Sequence, residues 1–150
     1  MIISCIISLL GLNIPSSPQC KSTPGSSGWP SPSQWSSLNR SLAGQLIKSS
    51  PPGAVCHINH SPYDPEACSV VQTGWKLSVW HTEDPVSSIN DNWNNDTCLP
   101  IPKAPYSNTG YPVYVVNATS AIDVKKGVDF ARKHNIRLIV KGTGHDYLGR

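Results

Sequence analysis

Six consecutive residues carry the most chemistry in this sequence: Lys141, Gly142, Thr143, Gly144, His145 and Asp146. Glycines at 142 and 144 allow backbone angles that other residues reach only at a cost, and they keep side chains out of an approach path. Successive amides in such a turn can face inward and form a concave anion site suited to a pyrophosphate. Two standard nucleotide fingerprints fail on it. The dinucleotide pattern needs G-x-G-x-x-G, and Tyr147 stands in the place of the third glycine. The phosphate loop needs a lysine after its last glycine, and Arg150 follows Gly149. A loop histidine is ordinarily a solvent-exposed side chain. The Gly-x-Gly-His-Asp setting directly after an apolar run makes His145 a site residue instead.

The other reactive residues point elsewhere. His57 and His60 are three apart with Asp64 nearby, but no convincing third ligand accompanies them, so no metal site is expected. Outside the apolar start, which holds Cys5, there are four cysteines, Cys20, Cys56, Cys68 and Cys98, and four allow three pairings. The short separation of Cys56 and Cys68 favours a local bridge, leaving Cys20 with Cys98. Acceptor sequons for N-glycosylation stand at Asn39, Asn59, Asn95 and Asn117. Trp29, Trp35, Trp75, Trp80 and Trp93 show no regular spacing and are read as packing residues.

The elements that would position the loop lie immediately before it. Residues 112–117 (PVYVVN) form a β-branched and aromatic run, the mark of a strand. Ser120 with Asp123 three residues on makes a capping-box-like helix start, and Ala121, Val124, Val128 and Ala131 share one helical face. Arg132, Lys133 and His134 close the helix where positive charge suits its dipole. Residues 136–140 (IRLIV) read as a second, almost wholly apolar strand. Strand, helix and strand make a βαβ unit, which implies parallel pairing with a right-handed crossover.

Upstream, residues 13–31 are Pro/Ser/Gly-rich linker. Ser31, Pro32 and the series Trp35, Leu38, Leu42 and Leu46 predict a helix that ends at the Ser-Ser-Pro-Pro-Gly run of residues 49–53. Asp64, Pro65 and Glu66 predict a second helix with Ala67, Val70 and Val71 inward, ending near Gly74. Residues 82–110 read as a polar connection tied down by Cys98. Residues 2–12 (IISCIISLLGL) are too short to span a bilayer, which takes about 20 residues. Followed by Ser and Pro, they read as part of a signal peptide and leader over residues 1–19. With the cysteines and sequons, this predicts a secreted, oxidising location. Only 14% of the 150 residues are charged, the net charge is +3, and the basic residues are scattered. Lys125, Lys126, Arg132 and Lys133 are read as a solvated helix face, so no nucleic-acid partner and no membrane span are expected.

The segment 136–150 closely resembles the flavin-attachment loop of berberine-bridge-enzyme-like oxidoreductases, within the vanillyl-alcohol-oxidase-type superfamily and its PCMH-type FAD-binding domain. The resemblance extends back through Cys98-Leu99-Pro100, residues 63–68, residues 51–57 (PPGAVCH), Trp29-Pro30 and residues 20–25 (CKSTPG), which look like the N-terminal region of the secreted fungal members. It implies that His145 is joined through an imidazole nitrogen to the 8α carbon of FAD. Oxidised flavin has an acidic 8-methyl group whose deprotonated tautomer a neutral imidazole can attack, and the tether raises the flavin's oxidising power. Lys141, Gly142, Thr143, Gly144 and Asp146 would supply backbone amides to the pyrophosphate, and Asp146 would orient the imidazole. Those members carry Cys where this chain has Ser22 and Gly28, and another soon after Cys98, so a Cys20–Cys98 pair is not inherited from the family.

The expected fold class is therefore α+β: a helical, disulfide-tied segment over residues 20–110, then the beginning of a PCMH-type FAD-binding domain over residues 111–150. The resemblance implies an oxidase or dehydrogenase acting on a small-molecule substrate with oxygen as acceptor. The family's second flavin-linking cysteine, catalytic base and substrate domain have no counterpart in these residues, so no catalytic residue is assigned. The 150-residue chain alone is expected neither to hold FAD stably nor to turn over substrate. Two other readings are a truncated, non-catalytic secreted glycoprotein or pseudogene product, and a small disulfide-stapled binding module.

Overall fold

The structure, a computed structural model, describes residues 20–89 and 95–145. The leader expected over residues 1–19, and Asp146, lie outside the described residues. Helix α1, Pro32–Ser41, starts on a capping box: the Ser31 hydroxyl accepts from the Gln34 amide, and the Gln34 side chain accepts from the Ser31 amide at 2.7 Å. It ends a turn earlier than its periodicity predicts. Ala43 (φ 51°) and Gly44 (φ 88°) turn left-handed, and the Gly44 amide closes on the Asn39 carbonyl at 2.9 Å. Leu46, expected as the next residue of the helical stripe, instead opens strand β1, Leu46–Lys48. It still reaches the α1 core, from a strand rather than a helix, which is why its spacing misled.

After β1 the chain makes a short 3-10 helix, Pro52–Cys56, where a helix-ending loop is expected. Helix α2, Pro65–Gly74, follows, and Asp64 caps it by accepting from the Glu66 and Ala67 amides. Its inward face is Cys68 and Val71; Val70, expected inside, is exposed. A six-residue helix α3, Ser78–Glu83, occupies sequence that shows no helical period and lacks a side-chain cap. Cys56 is disulfide-bonded to Cys68. Cys20 and Cys98, the expected second pair, are both free thiols. They belong to different parts of the structure. The Cys20 carbonyl accepts from Asn135 after the last helix, at 2.8 Å, while Cys98 is buried against the 3-10 helix.

Strand β2, Tyr114–Val116, pairs antiparallel with β1 in the register Leu46↔Val116, Ile47↔Val115, Lys48↔Tyr114. Helix α4, Ala121–Lys133, then packs on α1 and β2. The βαβ expectation needs correction at its second strand. Only Ile136 makes an isolated parallel bridge, to Ser22, and Leu138, Ile139 and Val140 are 49–79% exposed. An apolar run becomes a strand only when a neighbour supplies ladder partners, and among the described residues nothing pairs with 137–140. β2 already has β1 beside it, so the sheet here is antiparallel. The α4 face is also rotated from expectation: Phe130 and Ala131 are packed inward, whereas Val124 and Val128 stay exposed.

The core is centred on Trp35, Leu38 and Leu42 of and just after α1, covered by Trp29, Leu46, Tyr114, Val116, Phe130 and Ile136. The Trp35 ring stacks on Tyr114 at 4.1 Å and meets Phe130 at 4.8 Å. At the far end of α4, burial with Lys133 alongside holds the His134 imidazole below its ordinary value of 6.5. At neutral pH the last turn is therefore charged by Arg132 and Lys133, without the expected help from His134.

The start of α4 has a pH dependence of its own. Hydrogen bonds from the Ser120 hydroxyl and from Thr119 hold the Asp123 carboxyl below its ordinary value of 3.8. A carboxylate lowered by folding contributes stability above its unfolded value and loses it as pH falls through the folded one. Asp123→Asn should therefore lower the thermal midpoint at pH 6, and the gap from wild type should narrow on acidification below 3.8. Paired melts at pH 6 and pH 3 check this.

Candidate functional site

The glycine-rich loop is docked on the carboxyl end of α3. The Lys141 ammonium donates to three backbone carbonyls, His81 at 2.8 Å, Thr82 at 3.1 Å and Asp84 at 2.5 Å. The last carbonyls of a helix lack partners within it and carry the negative end of its dipole, so a cation with three N–H groups suits them. Burial draws the Lys141 ammonium below its ordinary value of 10.5, and the Asp84 carboxylate opposes that shift. A second tie joins the same two segments: Thr82 Oγ1 shares its proton between the Ser78 carbonyl at 3.0 Å and the Thr143 carbonyl at 3.1 Å.

The α3 end that receives the loop is itself held. His81 is 2% exposed; its Nε2 donates to the Trp75 carbonyl at 2.7 Å, and its Nδ1 is hydrogen-bonded to the Ser87 hydroxyl. A carbonyl can only accept, so Nε2 carries the proton of that bond. Trp75 and Trp80 meet that ring edge-on at 5.2 and 5.0 Å. Asp84 Oδ1 accepts from the amides of Val86 and Ser87 at 2.9 and 2.7 Å, closing the turn that follows. None of His81, Thr82, Asp84 and Ser87 stood out in sequence. Each is an ordinary polar residue, and no motif or spacing marks the partners it finds.

Within the loop, Gly144 has φ 78°, and a Cβ there would lie 2.9 Å from Lys141 Cε, so both angle and space call for glycine. Beside Gly142 the space is open. His145 follows, exposed to solvent. A glycine turn with one cleared flank, ending in an accessible imidazole, fits a group that must approach the backbone and bond to the ring. The structure thus places Lys141, Gly142, Thr143, Gly144 and His145 together.

The second histidine cluster is structural. His57 is buried, its Nε2 donates to the Leu99 carbonyl at 3.0 Å, and His60 stacks on Tyr106 at 4.2 Å. Asp64 is committed to the α2 cap. Among the described residues no three His, Cys, Asp or Glu side chains are grouped to hold a metal ion. An open groove of about 550 Å³ runs between α1 and α4, lined in part by Ser33, Ser37, Lys126 and Lys133. On α4, Asp129 pairs with Lys125 at 2.5 Å and Arg132 at 2.9 Å on a well-exposed surface. Among the described residues no helix is long and apolar enough to cross a membrane.

Known proteins give this arrangement a context. No family model matches the chain. It is 41% identical over 138 residues to VAO-type flavoprotein oxidase VAO615 of Thermothelomyces thermophilus, covering 89% of this chain and 24% of that protein. To FAD-linked oxidoreductase sor8 of Hypocrea jecorina it is 38% identical over 137 residues, covering 90% of this chain and 24% of the other. The crystal structure of the VAO-type flavoprotein MtVAO615 from Myceliophthora thermophila C1 superposes with a TM-score of 0.78 at 41% identity, over 87% of this chain and 25% of that one. The chain is thus related along most of its length to the VAO-type, FAD-linked oxidoreductases, and it spans about a quarter of the relatives it matches.

Proposed function

We propose that these residues are the N-terminal part of a secreted, berberine-bridge-enzyme-like flavin oxidase, and that His145 carries its FAD. The observation that carries the reading is the exposed imidazole at the end of a glycine turn pinned to α3, in a chain related to FAD-linked oxidoreductases. In this reading His145 bonds through a ring nitrogen to the isoalloxazine. The amides of Gly142, Thr143 and Gly144 face the pyrophosphate, and Lys141 holds the turn in place. FAD supplies the hydride-accepting chemistry when bound. Substrate, catalytic base and the reaction with oxygen belong to the complete enzyme, whose flavin domain would begin near residue 111 and provide sheet neighbours for the exposed residues 137–140. Secretion is supported by the Cys56–Cys68 bridge and by exposed sequons at Asn59, Asn95 and Asn117.

The test uses the flavoprotein that carries these residues with a complete flavin domain, recovered from the medium of a secreting host. After denaturation, the wild-type peptide spanning residue 145 should be fluorescent and heavier by one flavin. His145→Ala should lose the flavin linked at this position entirely. Histidyl flavin persisting unchanged in the variant would overturn the assignment.

A further inference from the structure

We infer that Lys141 is the positioning residue of this loop: its three hydrogen bonds to the carbonyl end of α3 set where His145 is presented for flavin attachment. The inference rests on reading residues 141–145 as the attachment loop, and it concerns how that loop is held. Two independent ties join loop and helix, the ammonium on the carbonyls of His81, Thr82 and Asp84, and Thr82 Oγ1 on the Thr143 carbonyl. The second tie lies two residues before His145. At about 3.3–3.6 Å per extended residue, the imidazole's backbone can stray only about 7 Å from the last pinned atom. Without either tie, the loop would hang from residues 137–140, which have no ladder partner among the described residues. A group that must form a bond gains from being held near its reacting geometry before its partner arrives.

The chemistry is specific to lysine. Three ammonium protons diverge tetrahedrally and converge here on three carbonyls of one helix end. A guanidinium directs its donors in a plane, so arginine keeps the charge near the helix dipole and loses the threefold fit. The Gly144 conformation belongs to the same device, since a Cβ on residue 144 would lie 2.9 Å from Lys141 Cε and press on the side chain that makes the tie. On the other side, His81 joins the α3 end to Trp75 and Ser87, so the surface that Lys141 grips is itself hydrogen-bonded to its surroundings.

The experiment compares Lys141→Met and Lys141→Arg in the flavoprotein described above, with amide hydrogen exchange on the apoprotein and the fraction of flavin linked at His145 as separate readouts. Lys141→Met should speed exchange at Asp84, Val86 and Ser87 by about 10- to 100-fold, the loss of a charge-assisted hydrogen bond. Leu42, in the α1 core, should be unchanged. The linked fraction should fall severalfold. Lys141→Arg should recover thermal stability but not the linked fraction, a split that a purely structural role would not produce. A wild-type linked fraction in Lys141→Met, or unaltered exchange at the α3 end, overturns the inference. If His145→Ala keeps its histidyl flavin, the attachment site is wrong, and the exchange data still decide whether Lys141 holds the loop.

Discussion

Trp35→Ala should destabilise the protein by about 3–5 kcal/mol, the usual cost of emptying a buried large aromatic site. Trp35 is 9% exposed and is the meeting point of three elements: it stacks on Tyr114 of β2, tilts against Phe130 of α4 and faces Trp29 ahead of α1. Truncation removes the ring at which all three meet. Domains of ordinary size have about 5–15 kcal/mol in hand, so a loss of this size takes a large part of it. One detail separates packing from polarity. The indole Nε1 is buried with no hydrogen-bond partner among the described residues. Trp35→Phe would keep a ring in the stack while removing that orphan donor, whose burial costs about 1–3 kcal/mol. Denaturant unfolding followed by circular dichroism should therefore rank wild type and Trp35→Phe close together, with Trp35→Ala far below.

Gly53→Ala should also destabilise the protein, for the opposite reason. A Cβ at residue 53 would sit 2.2 Å from the Cys98 carbonyl oxygen and 3.0 Å from the Leu99 carbonyl carbon. Those atoms are backbone, so one segment must move. The strand of chain around residue 98 is held where it is by His57 Nε2 donating to the Leu99 carbonyl and Gln72 Nε2 donating to the Pro100 carbonyl at 2.8 Å. Pushing it away costs the overpacking strain of about 1–3 kcal/mol and exposes whatever these bonds were covering. Cys98 reports the event directly. In the wild type it is 1% exposed, and burial pushes its thiol from 9.0 up to about 11, so it should resist alkylation at pH 8. In Gly53→Ala, labelling mapped to Cys98 by peptide mass should rise sharply, while labelling of the exposed Cys20 stays as it was.

The parts legible in sequence are those governed by short-range chemistry. The Ser31, Asp64 and Ser120 caps each start a helix where a hydroxyl or carboxylate meets free amides, and no distant partner is needed. The glycine turn and its histidine were visible for the same reason. What failed depended on partners far along the chain. Leu46 has helical spacing, but its backbone is decided by pairing with Val116. Residues 137–140 have strand composition and, among the described residues, no ladder. Cys98 was read as half of a bridge because parity says nothing about which face of the fold a thiol occupies. At residues 141–145 the glycine turn was legible by composition, while the α3 end that Lys141 binds was not. A six-residue helix leaves too short a pattern, and Lys141 binds it through carbonyls that every residue has.

The pairing of β1 with β2 has a consequence for how this chain tolerates change. The ladder is three residues long, and its register is set by Leu46, Tyr114 and Val116 meeting the same core. Everything between the two strands, the 3-10 helix, α2, its disulfide and α3, leaves from the end of one and returns to the start of the other. Lengthening or shortening that excursion shifts neither the facing residues nor the side on which Tyr114 meets Trp35. The two strands act as a clasp: they specify where the excursion departs and rejoins, while the α3 end within it keeps its own tie to Lys141.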